Sequence, residues 1–471
     1  MSGDDARTQL AEVEAAIDAH PGHAALHHHR GVLLAGLGRV DEARGAFLTA
    51  LSIEPGHFGA LNDLGTLLYR ADFRTAARTA YAEAVRLHPD NPIGHINLAN
   101  TLMAAGEVEG ARAGFETALG LDPRHPDALQ GLANLLQHQG EVEAAERLRQ
   151  RSYAARTLVH TPYQGTGAPR RVLELVSAVG GNIPTRFALD PTLFDVHTLV
   201  VEAFDAAVLP AHDVVLNAIG DVDLAPDAPA AAARVLTLTA APVINLPARV
   251  IQTDRAGVAH GLRGLPGVVA PRLERTPRTG LEAAAEAFGY PLLLRSPGYH
   301  TGQNFARVER PDDLAAAAAA LPGEALLLIE PLDARDAKGA WRKYRVMLVG
   351  GRRFPLHLAV SEHWKVHYFT SAMAAHADHR AEEAAFLADM PKVLGPVATA
   401  ALGHIQDTLG LDYAGVDFGL DAHGRLLLFE ANAAMVVAPP GPESIWDYRR
   451  QATGRIISAV QALLLRPSHT A

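Results

Sequence analysis

The chain has 471 residues, of which 48% are hydrophobic and none is cysteine, and its formal net charge is −10. That length predicts two or three domains, the acidic balance argues against nucleic-acid binding, and the lack of cysteine excludes disulfide bonds and thiolate metal sites. Because the N-terminus is acidic where a secretory signal would be basic and then apolar, and no apolar run reaches membrane-spanning length, we expect a cytoplasmic protein with no membrane partner.

A repeat of 34 residues occupies the first third of the chain. Proline recurs at Pro21, Pro55, Pro89 and Pro123, alanine at Ala43, Ala77, Ala111 and Ala145, and an aromatic residue at Phe47, Tyr81 and Phe115. This period, with its helix–turn–helix content, resembles the tetratricopeptide repeat. The resemblance implies an α-α superhelix over residues 1–155, in which stacked units share one core and leave a concave groove.

Polar side chains are predicted to line this groove. The period places side chains on or near the inward face at Asn62, Asn97, Asn100 and Asn134, together with Tyr69 and Gln130. Amides can hydrogen-bond the backbone of an extended peptide, so one interpretation is a peptide or protein partner. The other is that these polar residues are merely tolerated on an exposed helix face. The nearby histidines are predicted to be surface and packing residues rather than metal ligands: His23, His27, His28 and His29.

The repeat pattern stops after Arg151, and a stretch containing proline and glycine follows. We therefore predict an interdomain linker over residues 156–169. Between residues 170 and 250, the apolar runs RVLELVS, DVHTLVVEAF, DVVLNAIGD and PVINLP predict the strands of an α/β domain with a parallel sheet. A Gly180-Gly181-Asn182 loop follows the first strand, at the edge where such sheets bind ligands; a plain strand-to-helix turn has the same composition.

Near the C-terminus, residues 413–432 predict a β-hairpin, because two alternating apolar runs flank the turn sequence Asp421-Ala422-His423-Gly424. Asp417 lies in the first strand, while Glu430 and Asn432 lie two apart in the second and so share a face. These oxygen-bearing side chains suit Mg²⁺, which prefers oxygen ligands together with nucleotide phosphates. The alternative is a set of solvated residues on an edge hairpin, but acids beside buried strands are costly unless they are paired or metal-bound.

The pattern D-F-G-L-D-x-x-G-R-L-L-L-F-E-A-N in this hairpin resembles the last characteristic element of the ATP-grasp ligases, the carboxylate–amine ligase superfamily that includes glutathione synthetase. In that family the Asp, Glu and Asn hold the magnesium ions that bridge the ATP phosphates. The resemblance therefore implies ATP and Mg²⁺ as cofactors, with Asp417, Glu430 and Asn432 as metal ligands. It also implies an ATP-grasp α+β domain over residues 251–466, preceded by the pre-ATP-grasp α/β domain at residues 170–250.

The same resemblance assigns nucleotide contacts between residues 251 and 333. Two lysines that usually contact the ATP phosphates correspond here to Arg255 and Arg295, a departure that keeps the charge but not the shape. In the family, a loop closes over the phosphates, a strand end faces adenine and an acid reaches the ribose. These positions are Gly298, Thr301 and Gly302 in the loop, Glu330 and Leu332 at the hinge, and Asp333 at the ribose. A plain hairpin turn would look similar to this loop.

Catalytic residues are predicted in the segment that follows. The hairpin R-V-M-L-V-G-G-R matches the family element that carries a catalytic or phosphate-binding arginine, here Arg345. In WKVHYF, Lys365 alternates with His363 and His367, which predicts one cationic face of a strand. Lys365 would stabilise an acyl phosphate, and His367 would act as a general base for an attacking amine. A solvent-facing basic strand is the alternative.

Together these patterns predict an ATP- and Mg²⁺-dependent ligase. The resemblance implies that a carboxylate is phosphorylated to an acyl phosphate, which an amine or another nucleophile then attacks. The repeat array favours a peptide or protein substrate. Two alternatives stay open: a phosphotransferase built on the same fold, and a catalytically degenerate protein whose repeats serve as a binding scaffold, which the two missing lysines support.

Overall fold

The computed structural model describes residues 3–139, 141–155, 157–205, 207–299, 304–336, 338–368, 371, 373–441 and 443–466. The chain forms two compact units, one of residues 1–157 and 164–167 and the other of residues 158–163 and 168–471. The first unit is helical. The described part of the second is a mixed α/β region with three sheets.

Consecutive helices build the first unit. In its described residues they are α1 (Gly3–Ala19), α2 (Ala24–Gly36), α3 (Val40–Ile53), α4 (Phe58–Arg70), α5 (Arg74–Leu87), α6 (Pro92–Ala104), α7 (Val108–Leu121), α8 (Pro126–Gln139) and α9 (Val142–Ala155). They pack as the pairs α2/α3, α4/α5, α6/α7 and α8/α9. The turn within a pair uses a left-handed residue at a fixed repeat position, with φ of +75° at Gly38, +64° at Asp72 and +78° at Gly106. This is the helix–turn–helix unit that the 34-residue period predicts.

The repeated aromatic and small residues form the core of this unit. Phe47, Tyr81 and Phe115 are at most 4% exposed, and the alanine that recurs in the second helix of each pair is fully buried. The Tyr81 ring packs directly on Gly65, where an added Cβ would lie 2.6 Å from a ring carbon. Close packing therefore requires both an aromatic residue and a small residue at set positions, which explains why these residues mark the repeat.

Short strands dominate the second unit. In its described residues they are β1 (Leu158–Thr161), β2 (Arg170–Val176), β3 (Phe194–Val200), β4 (Val214–Asn217), β5 (Val243–Ile244), β6 (Val268–Val269), β7 (Leu273–Pro277), β8 (Leu292–Arg295), β9 (Phe305–Val308), β10 (Ala325–Ile329), β11 (Trp341–Val349), β12 (Arg352–Ser361), β13 (Tyr413–Leu420) and β14 (Leu426–Asn432). The helices of this unit are α10 (Ala228–Leu236), α11 (Pro247–Val250), α12 (Arg255–Gly261), α13 (Leu281–Phe288), α14 (Leu314–Ala319), α15 (Ala377–Ala388), α16 (Met390–Leu409) and α17 (Asp447–Leu464).

The first sheet has the order β1-β3-β2-β4-β5. Strands β2 to β5 are parallel, as the four apolar runs predict, and β1 pairs antiparallel with β3. The prediction of a linker over residues 156–169 is therefore wrong for residues 158–161, because LVHT forms the edge strand of this sheet.

Two further sheets follow. The smaller is antiparallel with the order β7-β10-β8-β9, and the larger has the order β12-β11-β13-β14-β6. Hairpin turns set the register of the larger sheet: Gly350 and Gly351 join β11 to β12 with φ of +56° and +83°. In the β13–β14 turn, Asp421 Oδ1 accepts hydrogen bonds from the backbone N–H groups of His423 and Arg425. The hairpin predicted at residues 413–432 thus has the expected turn.

Helices α15 to α17 cover the larger sheet, and the apolar core between them contains Phe386, Leu402, Phe418 and Ile456, each fully buried. In the described part of the chain, no single helix is long and apolar enough to span a membrane. Only α15 and α16, which are bent by 65° relative to each other, meet the length and composition criteria when taken together.

Candidate functional site

A cavity of about 530 Å³ in the second unit is lined by residues of the two later sheets and by the Gly181–Asn182 loop of the first. Ten of the site residues predicted from the sequence line it: Arg255, Arg295, Glu330, Leu332, Arg345, Lys365, His367, Asp417, Glu430 and Asn432. Gly298 and Asp333 are not among its lining residues. Thr301 and Gly302 lie outside the described residues.

The three predicted metal ligands meet on one face of the β13–β14 hairpin. Asp417 lies directly opposite Glu430, and Asn432 lies two residues further along β14. Asp417 is only 1% exposed, and its carboxylate accepts hydrogen bonds from two cationic side chains of β11. Arg345 donates from Nε to Oδ1 at 2.5 Å and from Nη2 to Oδ2 at 2.8 Å, and Lys343 Nζ lies 3.0 Å from Oδ2.

These contacts determine the ionisation of Asp417. Burial alone would raise the pKa of its carboxyl group, but the charges of Arg345 and Lys343 outweigh burial and hold the pKa well below its ordinary value. Asp417 is therefore a carboxylate at neutral pH. The same ion pair holds Arg345 in a bidentate geometry, with its guanidinium at the wall of the cavity.

Glu430 is held in a different way. Arg255, at the start of α12, places Nη2 2.7 Å from Glu430 Oε1. Asn432 donates from Nδ2 to the same oxygen at 2.8 Å, and its own Oδ1 accepts from the backbone N–H of Ala434 at 3.0 Å. The side chain of Glu430 remains 19% exposed.

The trio fits Mg²⁺ in ligand type and placement, since two carboxylates and an amide oxygen share one face at the cavity wall. In the protein alone, side-chain cations neutralise both carboxylates. A bound divalent cation would neutralise part of this negative charge if one of the side-chain cations moved away from its carboxylate. Among the described contacts, one hydrogen bond joins the Arg255 side chain to Glu430, whereas two join Arg345 to Asp417.

Arg295, at the end of β8, is a buried cation on the cavity wall. It is 8% exposed, and its Nε has no hydrogen-bond partner among the described residues. Its Nη2 donates to the backbone carbonyl of Tyr299, and its guanidinium lies 5.2 Å from the centre of the Phe305 ring. Burial lowers the pKa of Arg295 to about 10, and the charge of Arg255 adds to this shift. The guanidinium is still protonated at neutral pH, so the site offers an unpaired N–H and a positive charge.

The predicted hinge after β10 is only partly as expected. Glu330 and Leu332 line the cavity, and no described residue accepts a hydrogen bond from the backbone N–H of Leu332. The carboxylate of Glu330 is held by the backbone N–H of Arg272 at 2.8 Å. Asp333 instead pairs with Arg335, with 2.5 Å between its Oδ2 and Nη2, and both side chains are more than half exposed. The cavity lining therefore does not include the acid predicted to reach the ribose.

The prediction of a strand through WKVHYF is wrong. Strand β12 ends at Ser361, whose hydroxyl accepts the backbone N–H of His363 at 3.0 Å, and a tight turn from Trp364 to Val366 follows. Lys365 and His367 nevertheless both line the cavity, whereas His363 does not.

These two residues have different electrostatic settings. Burial lowers the pKa of His367, and the neighbouring charges of Lys343 and Arg345 lower it further, so its imidazole is neutral at pH 7. Lys365 Nζ donates to the backbone carbonyl of Phe305 at 3.2 Å. A neutral imidazole can accept a proton, and an ammonium group can stabilise developing negative charge.

Some lining residues were not singled out as site residues from the sequence. Lys343 lies two residues before Arg345 on β11 and shares its face, so the alternation of the strand could have identified it. Arg307 and Arg342 also line the cavity. His357 lies opposite Arg345 in β12 and is buried, and burial, with the charge of Arg345, holds the pKa of its imidazole well below its ordinary value. The sequence alone gives no signal for this residue, because its position next to Arg345 depends on the register between β11 and β12.

In the first unit, the predicted groove amides form polar contacts between and within first helices. Asn97 of α6 donates to Asn62 of α4 at 2.7 Å, and Asn62 donates to Asp63 at 3.2 Å. In α8, Gln130 donates to Asn134 at 3.1 Å. Asn62, Asn97, Asn100 and Asn134 are all partly buried.

The N-terminal histidines do not converge on a common point. His27 contacts the carbonyl of Pro21, whereas His28 pairs with Asp63. Among the described residues, the candidate metal-binding groups do not include side chains of this run.

Comparison with known proteins identifies the first unit. A tetratricopeptide repeat family model matches residues 4–57, 62–113 and 96–157, so the predicted repeat array is confirmed. No curated protein was found to match the chain. Solved structures that resemble it include MamA from Desulfovibrio magneticus RS-1, 18% identical with a TM-score of 0.29 and covering 32% of this chain and 85% of that chain.

Two further solved structures have similar values. PilF of Pseudomonas aeruginosa is 20% identical with a TM-score of 0.30, covering 32% of this chain and 74% of that one. YrrB, described as a tetratricopeptide repeat protein with an unusual peptide-binding site, is 19% identical with a TM-score of 0.28, covering 32% and 79%. Tetratricopeptide repeats suggest peptide or protein partners.

Proposed function

We propose that the protein is an ATP- and Mg²⁺-dependent ligase that activates a carboxylate as an acyl phosphate for attack by an amine or another nucleophile. The observation that carries this proposal is that residues predicted from separate motifs between positions 255 and 432 line a single cavity. Its volume of about 530 Å³ falls within the range of small-molecule sites, which is roughly 300–1,000 Å³. The resemblance to ATP-grasp ligases is the basis for the reaction class.

The reaction has two steps. A carboxylate oxygen of the acid attacks the γ-phosphorus of ATP, the bond from phosphorus to the bridging oxygen breaks, and ADP leaves. The nucleophile then attacks the acyl carbon, phosphate leaves, and the proton of the nucleophile passes to a base. Mg²⁺ held by Asp417, Glu430 and Asn432 would supply charge neutralisation for the phosphates.

Arg255 and Arg295 are the proposed phosphate contacts. Two guanidinium groups close enough for the charge of one to lower the pKa of the other repel each other, and a bound anion relieves this repulsion. The Nε of Arg295 adds a donor that has no acceptor among the described residues. Arginine binds phosphate through two parallel N–H groups, so the replacement of lysine is compatible with phosphate binding.

The hinge supports a purine subsite. Leu293, Ile329 and Leu428 supply apolar lining, and the backbone N–H of Leu332 is available to an acceptor on a ring edge. Apolar walls with a few polar groups that fix orientation are the usual form of a nucleotide site.

The second step assigns roles to two further residues. His367 would take the proton of the attacking amine, because its imidazole is neutral at pH 7. Lys365 would face the negative charge of the acyl phosphate and of the leaving phosphate. Arg345 would contribute further positive charge at the cavity wall, where Asp417 fixes its orientation.

Calorimetry of ATP binding with and without Mg²⁺, on the full-length protein, tests the nucleotide site. We expect Mg²⁺-dependent binding that weakens roughly 10–100-fold in Arg295→Ala, because a hydrogen bond to a charged group is worth about 1.5–3 kcal/mol. Glu430→Gln should weaken the Mg²⁺ dependence. Arg310→Ala and Glu324→Gln remove the same charges outside the cavity lining and should leave binding unchanged. No binding at millimolar nucleotide would overturn the proposal.

Product analysis tests the reaction class. With ATP, candidate carboxylates and hydroxylamine as a trapping nucleophile, a ligase releases ADP and free phosphate and forms a hydroxamate. A phosphotransferase would instead leave the phosphate on its acceptor.

A binding scaffold with a degenerate site is the second candidate, and one observation favours it. Both oxygens of Asp417 and Oε1 of Glu430 already accept hydrogen bonds from the cations of the chain itself, as in a structural ion-pair network. Absence of Mg²⁺-dependent nucleotide binding, together with retention of peptide binding by the repeats, would favour this candidate.

For the repeat array we propose an extended peptide partner bound by Asn62, Asn97, Asn100 and Asn134. Asn62 and Asn97 are linked across neighbouring first helices, which orients their amides along the array. Asn97→Ala combined with Asn100→Ala should weaken capture from a peptide library, whereas Thr117→Ala on the second helix α7 should not.

A further inference from the structure

A second group of possible metal ligands lies in the first sheet of the second unit. His160 of β1 is directly opposite His197 of β3, and Asp195 precedes His197 by two residues and so shares its face. One ligand atom from each of the three side chains lies within 4.8 Å of the other two. None of these residues lines the cavity described above.

The contacts within this group leave a nitrogen lone pair or N–H unused. His160 Nε2 lies 2.8 Å from Asp195 Oδ1, and the same carboxylate oxygen accepts from the backbone N–H of Tyr163 at 3.2 Å. The Nδ1 atom of His197 is buried and has no hydrogen-bond partner in the described part of the chain. A buried polar atom without a partner is costly, and a metal ion would satisfy it.

The protonation states suit a metal. Burial lowers the pKa of His197, and the adjacent His160 lowers it further, so the ring that must bind as neutral imidazole is neutral at pH 7. Burial would raise the pKa of Asp195, but its hydrogen bonds to His160 and Tyr163 lower it, so it is a carboxylate.

We propose that His160, Asp195 and His197 form a transition-metal site selective for Zn²⁺, or another imidazole-preferring divalent ion, over Mg²⁺. Two imidazoles and one carboxylate are a common ligand set for such ions, with a water molecule in the remaining position. Hard cations prefer all-oxygen sets, so Mg²⁺ should not compete.

Binding requires one side chain to turn. The rings of His160 and His197 are stacked 4.3 Å apart and within 10° of parallel, whereas a shared ion must lie near the plane of both rings. His160 has space to rotate toward the ion, because its side chain is 47% exposed on the edge strand, and this rotation would end its stacking on His197. The ion would then replace the hydrogen bond from His160 to Asp195 and join β1 to β3.

Titration of the metal-free full-length protein with Zn²⁺, in excess Mg²⁺, tests this proposal. Calorimetry should show high-affinity binding of about one Zn²⁺ ion per chain, the tight class of sites. The variants His160→Ala and His197→Ala should each weaken it by about 100-fold or more, since even the loss of a group that merely supports a ligand costs 10–100-fold. Co²⁺ should give a visible absorption band that the same variants lose.

Two control variants make the outcome decisive. His423→Ala removes an exposed histidine on the β13–β14 turn and should leave Zn²⁺ binding unchanged. His376→Ala alters the other described cluster, His376, Asp378 and His379 at the start of α15. The proposal is overturned if the tight class persists in His160→Ala and His197→Ala, or if His376→Ala abolishes it instead. If His197→Ala fails to fold, His160→Ala, at an exposed position, and the conservative Asp195→Asn provide the test, and each should weaken Zn²⁺ binding.

Discussion

The ion pair between Arg345 and Asp417 provides the sharpest test of how the cavity wall is built. Asp417 is 1% exposed, and Arg345 holds both of its oxygens, at 2.5 and 2.8 Å. Arg345→Met keeps most of the side-chain volume but leaves this carboxylate with Lys343 as its one remaining ion-pair partner among the described residues. Removal of one member of a buried pair costs about 3–5 kcal/mol. We therefore expect a loss of about 3–5 kcal/mol in the free energy of unfolding of the second unit.

Tryptophan fluorescence during denaturation measures this loss selectively, because all three tryptophans, Trp341, Trp364 and Trp446, lie in the second unit. Arg310→Met is the matched control. It breaks the exposed pair with Asp313, whose side chains are 73% and 42% exposed, and such pairs contribute below about 1 kcal/mol.

A double variant separates the ion pair from general packing. Arg345→Met combined with Asp417→Asn removes the unpaired charge but leaves an amide oxygen for Lys343, so it should recover part of the loss.

The pH dependence of the unfolding free energy has a defined sign. The lowered pKa of Asp417 contributes stability above its unfolded pKa of about 3.9 and loses it as pH falls. That slope should flatten in Arg345→Met. A loss no larger than in Arg310→Met, or a double variant that loses as much as both single changes together, would refute the assignment.

Two further predictions concern other parts of the chain. Gly131→Ala should destabilise the repeat array by about 1–3 kcal/mol, because the added Cβ would overlap the Phe115 ring. Gly120→Ala is the control: the space around Gly120 is open, so this change should be neutral or stabilising. Hydrogen exchange of the α7 and α8 amides measures both effects. Glu174 is buried, and burial raises the pKa of its carboxyl group, so its contribution favours folding at low pH and is lost as pH rises through the folded pKa. Glu174→Gln should therefore gain stability relative to the wild type as pH rises above the ordinary glutamate pKa of about 4.3; tryptophan fluorescence measures this, and an equal difference at every pH would contradict it.

The repeat array was predictable because each of its requirements is local. The contacts between Phe47 and Gly31, and between Tyr81 and Gly65, join residues only 16 apart. Such contacts recur at a fixed period, so the sequence displays them directly. The β13–β14 hairpin was predictable for the same reason, since its turn and both strands lie within twenty consecutive residues.

The partners of the acidic trio were not predictable in this way. Arg255 and Glu430 are 175 positions apart, and Arg345 and Asp417 are 72 apart. The separate motifs indicate that each residue belongs to a site, but only the packing of α12 and β11 around the hairpin shows which cation meets which carboxylate. The sequence therefore predicted ligands for a cation without predicting that arginine and lysine side chains already contact them.

Two local predictions failed, one because a side-chain hydrogen bond ends a strand early and the other because a segment of loop-like composition pairs with a neighbouring strand. The alternation in WKVHYF is typical of a strand, but the hydroxyl of Ser361 ends β12 by accepting the backbone N–H of His363. The proline and glycine after residue 155 are typical of a linker, yet LVHT has the β-branched and apolar residues of a strand and pairs with β3.

The distribution of charge in the cavity helps to decide between the proposed anion-binding site and a scaffold that binds no ligand there. Most of its cations have acidic partners: Arg345 and Lys343 share Asp417, Arg255 contacts Glu430, and Arg342 contacts Asp336 and Glu382. Arg295 has no carboxylate within ion-pair distance among the described residues, although it is more than nine-tenths buried. A buried charge outside ion-pair distance of any carboxylate lowers stability, and a bound anion would offset this cost. The Nε of this guanidinium, at the end of β8, has no partner among the described residues, and this observation supports the proposed anion site over the scaffold alternative.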